Sequence, residues 1–125
     1  MKRIILLVMS SFYICGLLFG VESTAKITKV SASVTPSNYT GICPKRFEFF
    51  GEITVDKSCE VKFRWCRSDG FISPIETLRF RKPGTQRVFS FWTLSAIGKH
   101  WQTIETCDPY NMKSNRAEFT LKCID

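Results

Sequence analysis

Apolar and polar residues alternate with a period of two along most of the chain after residue 25. In the segment 47–55 the odd positions are apolar or glycine, and the even positions are mostly polar. Val61, Phe63 and Trp65 alternate with charged residues in the same way. No stretch keeps a 3.6-residue apolar period over three turns. The pattern therefore predicts an all-β protein whose strands each bury one face against a core.

Turn-forming residues such as Pro, Gly, Asn, Asp and Ser separate these alternating runs and divide the chain into about seven strands. The predicted strands lie near 27–34, 46–55, 59–67, 75–81, 87–94, 101–107 and 116–123. Seven short strands in about 100 residues are typical of an antiparallel β-sandwich. A closed barrel is the alternative, because strand count alone does not separate the two.

One predicted hairpin carries an unusual outward face. Joining strands 75–81 and 87–94 through the turn at 82–86 pairs Arg79 with Phe89. The outward side chains are then Arg79, Arg81, Arg87, Phe89 and Phe91, next to Glu48, Phe50 and Glu52 of a neighbouring strand. One interpretation is a cation–π platform that contacts a partner, since contiguous exposed apolar patches mark such contacts. The other is a solvated ladder in which the glutamates neutralise the arginines.

The N-terminus predicts secretion. A positive Met1-Lys2-Arg3 precedes uncharged residues 4–20, and small residues follow at 21–25, which is the layout of a signal peptide. A membrane anchor is the less favoured alternative, because 17 uncharged residues are at the lower limit of a span. Bulky residues before Cys15 disfavour lipidation there. We expect residues 1–25 to be a signal peptide and 26–125 the domain, with no transmembrane anchor after cleavage.

Charge and cysteine content follow from this division. Residues 26–125 hold 16 basic and 10 acidic side chains and five cysteines. Secretion places those cysteines where disulfides persist. Because five is odd, one thiol is free, bonds another chain or pairs heterogeneously.

Several blocks of the chain resemble an immunoglobulin-like domain found in secreted and surface proteins of bacteria. The blocks occur in order over almost all of residues 26–125: Val30-Ser31-Ala32-Ser33-Val34-Thr35-Pro36, Tyr39-Thr40-Gly41-x-Cys43-Pro44, Phe63-Arg64-Trp65-x-Arg67-Ser68-Asp69-Gly70, Gly84-Thr85-Gln86-x-Val88, Trp92-Thr93-Leu94, Trp101-Gln102-Thr103 and Ser114-Asn115-Arg116-Ala117-x-Phe119-Thr120-Leu121-x-Cys123. The resemblance implies an immunoglobulin-like β-sandwich that serves as an adhesive or structural module with no shared chemistry. It also implies a Cys43–Cys123 disulfide and a buried Trp65.

Cys59, Cys66 and Cys107 depart from that family pattern. In a sandwich the third and sixth strands are antiparallel neighbours, which brings Cys59 near Cys107. The alternation places Cys66 on the outward face with Lys62 and Arg64, which argues for a different pairing. We favour Cys59–Cys107 because strand ends tolerate the geometry of a disulfide. Cys66 is then the candidate free thiol, able to link two chains.

The sequence contains few signatures of catalysis. The sequence holds one histidine, no Gly-rich phosphate loop and no Gly-x-Ser-x-Gly motif. The cysteine spacings fit neither a zinc site nor a redox pair, so we expect no metal and no cofactor. Basic residues are scattered without a run of five, so no specific nucleic-acid partner is expected.

These observations favour a secreted, non-catalytic immunoglobulin-like module for binding, adhesion or structural support at the cell surface. Its partner is expected to be a protein or an anionic polymer of the cell envelope. The alternative hypothesis is a small disulfide-stabilised effector or enzyme inhibitor that acts through the loop at residues 95–100. An enzyme is the least supported hypothesis.

Overall fold

A computed structural model describes residues 25–124 of the 125-residue chain. The predicted signal peptide falls, apart from Ala25, outside the described residues. The described part contains nine strands: β1 (Ile27–Thr35), β2 (Asn38–Gly41), β3 (Lys45–Val55), β4 (Cys59–Arg67), β5 (Glu76–Phe80), β6 (Gly84–Leu94), β7 (Gly98–Asp108), β8 (Met112–Lys113) and β9 (Ala117–Cys123). All seven predicted strands are present, and the short β2 and β8 are additions to them.

The strands form two sheets. The first has the order β1-β3-β6, and the second has the order β2-β9-β7-β4-β5, with β8 paired to β7. Every described strand pair is antiparallel except β2 with β9. The two sheets enclose one core, which confirms the β-sandwich and not the barrel.

The core is built from the inward positions of the alternating strands. Phe47, Phe49 and Ile53 of β3 are almost fully buried, as is Trp65, which is 2% exposed. A side chain at Gly51 would collide with Ile104 Cδ1 and with the backbone oxygen of Ser31. Glycine at this position therefore lets the second sheet approach the first closely.

A disulfide joins the turn after β2 to the last strand. Cys43 and Cys123 are bonded, with 5.6 Å between their Cα atoms and 80 residues between them in sequence. This confirms the pairing that the family resemblance implied. Since β2 pairs with β9, the bond reinforces two strands that already lie side by side.

The predicted Cys59–Cys107 disulfide is wrong, although the predicted neighbourhood of the two strands is right. β4 and β7 pair antiparallel, but Phe63 faces Thr106 and Lys62 faces Asp108, so Cys107 is the extra residue of a bulge. Cys59 begins β4, three residues before Lys62, so it lies roughly 10 Å along the strand from the bulge. It also packs against the core, whereas Cys107 is exposed.

Candidate binding surface

The outer face of the first sheet brings together three phenylalanines from two adjacent strands. Phe50 of β3 pairs with Phe89 of β6, and Glu48 pairs with Phe91. Phe89 is 67% exposed and Phe91 is 54% exposed. We name Phe50, Phe89 and Phe91 the aromatic face. The outward orientation predicted for Phe89 and Phe91 is confirmed.

Two arginines lie over this aromatic face. The Cζ atom of Arg46 is 3.9 Å from the centre of the Phe91 ring, and that of Arg87 is 5.3 Å from the centre of Phe50. At exposed positions such cation–π contacts contribute about 0.5–1 kcal/mol each. Arg46 was missed by sequence reasoning, although its parity with Glu48 places it on the same face.

Carboxylates accompany both arginines. Arg46 forms an ion pair with Glu48, and Glu52 lies between Lys29 Nζ at 3.1 Å and Arg87 Nε at 3.7 Å. The hydrogen bond from Lys29, with a smaller effect of Arg87, holds the pKa of Glu52 below its usual value. Paired charges and exposed aromatic rings therefore occur together on one face, and Arg87 is the one predicted arginine that belongs to it.

The predicted hairpin between the fifth and sixth strands is wrong. β5 pairs with β4 in the second sheet, and β6 pairs with β3 in the first. Arg79 faces Glu60, with 2.7 Å between Nη2 and Oε2. Arg81 lies in the segment 81–83 that crosses from one sheet to the other. Neither arginine therefore shares the aromatic face with Arg87.

The crossing explains the error physically. Alternation tells whether a side chain points inward or outward but not which sheet its strand joins, so a turn between sheets looks like a hairpin turn. In constant-type immunoglobulin domains strand C lies in the second sheet, and strand D, which follows it, crosses to the first sheet and pairs beside strand E. Here β5 stays beside β4, so β6 ends the first sheet.

The predicted loop at residues 95–100 is shorter in the structure, because residues 98–100 belong to β7 and pair with β9, which leaves residues 95–97 between the strands. It lies at the end of the sandwich that carries the disulfide. Ser95 O is 3.3 Å from Cys123 Sγ, and His100 Nε2 is 2.7 Å from Ala96 O. Gly98 has a φ of +122°, which favours glycine. Ile97 at the loop tip is 70% exposed. This short loop between β6 and β7 thus presents one isoleucine to solvent.

The thiol predicted to be unpaired lies beside an ion pair of the second sheet. Arg64 Nη2 is 3.0 Å from Glu105 Oε1, and Cys66 Sγ is 3.7 Å from the same oxygen. Burial, followed by the charge of Glu105, raises the pKa of the Cys66 thiol. The hydrogen bond from Arg64 is the main reason that the pKa of Glu105 is lowered. A thiol kept protonated beside a carboxylate is poorly suited to nucleophilic catalysis.

His100 has a structural environment. Its ring packs on Trp92 at 5.5 Å and on Phe119 at 5.4 Å between ring centres. His100 lies on β7 and pairs with Phe119 of β9, whereas Cys66 lies on β4 and pairs with Thr103 of β7. The histidine and this thiol are therefore not strand partners of each other. Within residues 25–124, no group of three His, Cys, Asp or Glu side chains is arranged to hold a metal ion.

The two packed sheets define the chain as an immunoglobulin-like β-sandwich. Solved structures that resemble it include a CARDB domain from Pyrococcus furiosus in complex with di-metal ions, at a TM-score of 0.58 and 11% identity, covering 78% of this chain and 94% of that one. The solution structure of the same domain gives a TM-score of 0.58 at 11% identity, with 74% and 94% covered. These identities establish the shared fold alone.

A similar domain occurs within larger proteins. An alkylpurine DNA glycosylase from Pseudomonas fluorescens, bound to DNA containing an abasic site analogue, matches at a TM-score of 0.56 and 12% identity, over 74% of this chain and 30% of that one. No family model matches this sequence, and neither does any curated protein.

The part of the chain between residues 25 and 124 also contains no helix long and apolar enough to cross a membrane.

Proposed function

We propose that this protein is a secreted, non-catalytic immunoglobulin-like binding module that contacts a protein partner through the aromatic face. The observation that carries the proposal is the exposure of Phe89 and Phe91, at 67% and 54%, side by side on a regular sheet. Single exposed apolar residues are ordinary, whereas adjacent aromatic rings on a rigid surface are typical of binding sites.

The charge of this surface favours a protein over an anionic polymer. Arg46 and Arg87 are both paired with glutamates, and the neighbouring Lys29 is paired as well. A polyanion needs unpaired cations, whereas a protein interface combines an aromatic centre with a polar rim. The Cys43–Cys123 bond supports a secreted location, because disulfides persist in oxidising compartments.

A matched set of substitutions tests the proposal. The purified protein is passed over immobilised envelope fractions of its host, and its retention is compared with that of Phe89→Ser/Phe91→Ser. Ile75→Ser is the control, because Ile75 is 53% exposed but directly precedes β5 of the second sheet and lies outside the aromatic face. We expect the double variant to lose at least roughly tenfold in affinity and the control to keep it. Equal retention of both variants would contradict the proposal.

The loop at 95–100 supplies the second candidate. Ile97 is 70% exposed in a short loop between two strands, β6 and β7, which is how inhibitors present a residue to an enzyme. Ile97→Ser is therefore included in the same experiment. If this variant loses retention while Phe89→Ser/Phe91→Ser keeps it, the effector or inhibitor function replaces the proposed one.

A further inference from the structure

The hydrogen bonds of Asn115 show which backbone groups of the first sheet point outward. Its side chain accepts a bond from Ala32 N at 3.0 Å and donates one to Ala32 O at 2.9 Å. Ala32 therefore turns its backbone groups away from β3, where its partner is Gly51. In antiparallel sheets these directions alternate along each strand, so Gly51 bonds to Val88 of β6.

The same alternation fixes the directions along β6. Val88, Ser90 and Trp92 direct their N–H and C=O groups toward β3. The residues between them direct theirs to the opposite side, which is the outer edge of the sheet: Arg87, Phe89, Phe91 and Thr93. These residues also carry the exposed side chains of the strand. The outer edge of β6 and the aromatic face are therefore contiguous.

This edge lacks the usual protection against strand pairing. Within residues 25–124, β3 is the one strand that pairs with β6, and their register runs without a bulge from Lys45–Leu94 to Val55–Gly84. The strand contains no proline, and its outward side chains include Phe89 and Phe91 beside Arg87, whose charge is paired with Glu52. Proteins normally blunt such edges with proline, bulges, charged side chains or short strands, because an open edge accepts another strand.

We propose that the outer edge of β6 pairs antiparallel with β6 of a second copy, about a two-fold axis through Ser90. The outward backbone groups lie at odd positions, so an odd position must face an odd position of the other copy. A two-fold through Ser90 meets this condition and places Phe89 opposite Phe91 of the second copy. The two first sheets then form one continuous sheet of six strands.

Self-complementarity is the reason to assign a second copy and not an unrelated peptide. In this register each exposed phenylalanine of β6 meets a phenylalanine, and Phe50 extends the row on each side. Arg87 faces Thr93 of the second copy, whereas a two-fold through Arg87 itself would set like charges together. We expect a contact confined to one strand edge to bury less than a standard interface of about 1,600 Å², and the dimer to be reversible and micromolar.

Disulfide trapping tests the axis directly. In this dimer residue 90 faces itself in a pair that shares no hydrogen bonds, with Cα atoms about 4.5 Å apart, which suits a disulfide. Residue 86 faces residue 94, so the two copies of residue 86 are roughly 27 Å apart. In a Cys66→Ser/Cys107→Ser background, Ser90→Cys should cross-link at least about tenfold faster than Gln86→Cys under mild oxidation. Equal rates would overturn the axis.

A second measurement tests the backbone edge. Sedimentation of the wild type should show monomers converting to dimers at micromolar concentrations. Thr93→Pro removes an outward N–H group without touching the bonds to β3, and should weaken the dimer by roughly tenfold or more. Thr93→Val keeps that N–H and should dimerise normally. A wild type that stays monomeric at about 1 mM would overturn the proposal, as would binding of a foreign peptide to the edge of a strictly monomeric protein.

The inference rests on the proposed function only in its use of Phe89 and Phe91, and the two fail separately. Thr93→Pro retains both rings. A monomeric wild type that is still retained through its phenylalanines would remove the dimer and keep the binding function. Conversely, Ser90→Cys can cross-link as expected while Phe89→Ser/Phe91→Ser is retained as strongly as the wild type. That result would remove the binding function and keep the dimer.

Discussion

The two lateral sides of the sandwich are finished differently. On one side the chain crosses between the sheets from β1 to β2, Asn115 occupies the edge of β1, and the Cys43–Cys123 bond fixes the adjoining strands. We call this the closed side. On the other side the chain crosses from β5 to β6, and no strand of residues 25–124 pairs with the outer edge of β6; we call this the open side. The closed side therefore stabilises the fold, whereas the open side is available for recognition.

Exposed apolar side chains occur on both sides, since Ile42 and Ile124 beside the disulfide are 73% and 55% exposed, but adjacent aromatic rings are found on the open side. Phe89 and Phe91 lie on the open side, and Phe71, Ile72 and Ile75 are each more than half exposed in the segment that leads to β5. Arg67 ties part of this region together, with its Cζ 4.5 Å from the Phe71 ring centre and 4.4 Å from that of Trp92. Cation–π contacts occur on both sides, since Lys45 Nζ is 4.8 Å from the Tyr39 ring centre on β2, but the closed side adds the disulfide and the amide bonds of Asn115.

The largest expected effect is on the closed side. Cys43→Ser/Cys123→Ser releases a loop closed across 80 residues, and the free energy of unfolding should fall by about 4 kcal/mol in the loop-entropy model. Urea denaturation measures the change. A loss below about 1 kcal/mol would show that the closed side does not depend on the bond.

The next effect should come from Asn115. Asn115→Ala removes both bonds to Ala32 and should lower the free energy of unfolding by about 2 kcal/mol. It also bares the edge of β1, so the variant should self-associate more than the wild type. Asn115→Asp keeps the acceptor for Ala32 N but loses the donor to Ala32 O, and should not restore stability. If Asn115→Ala is as stable as the wild type, Asn115 does not protect the edge of β1, and the edges of β1 and β6 do not differ in the way described.

A smaller effect is expected from Arg67 on the open side. Arg67→Met keeps an apolar stem but loses the cation, and should cost about 1 kcal/mol at neutral pH. The hydrogen bond from Arg67 is the main reason that the pKa of Asp69 is lowered. Because a lowered pKa stabilises the fold only while the carboxylate is ionised, the cost should shrink below about pH 3.9. Denaturation of both proteins at pH 7 and pH 3 measures this, and a cost that does not depend on pH would contradict the pairing.

The smallest effect should come from the aromatic face itself. Phe89→Ser/Phe91→Ser should lower the free energy of unfolding by less than about 1 kcal/mol, since both rings are already mostly solvated. Phe49→Ser, at a position 1% exposed, is the matched core control and should unfold far more readily. If thermal melting finds a large loss for the outward pair, that face is covered and the open side is not open.

Much of the architecture could be predicted because burial leaves a period-two record. That record identified the seven longer strands and the outward direction of Phe89 and Phe91. β2 and β8 have only four and two residues, which is too few for an alternating pattern to be recognised. Alternation also carries no information about which sheet receives a strand, so β5 and its Arg79 were misplaced.

The remaining differences depend on contacts between distant residues. The bulge at Cys107 shifts the register of β4 against β7, and nothing in the local pattern marks it. Asn115 reaches Ala32 across 83 residues of sequence. The secreted location, the partner and the binding role of Arg87, Phe89 and Phe91 stay predictions.

The Cys43–Cys123 bond also determines how the domain transmits mechanical tension. A force applied at residues 26 and 124 passes from Cys123 directly to Cys43, so the chain between them carries no load. Only residues 26–43 can be drawn out, to about 60 Å at full extension, against roughly 340 Å for a reduced chain. A module stretched at a surface would therefore yield by peeling β1 and β2 while the rest of the sandwich, including the aromatic face, stays folded.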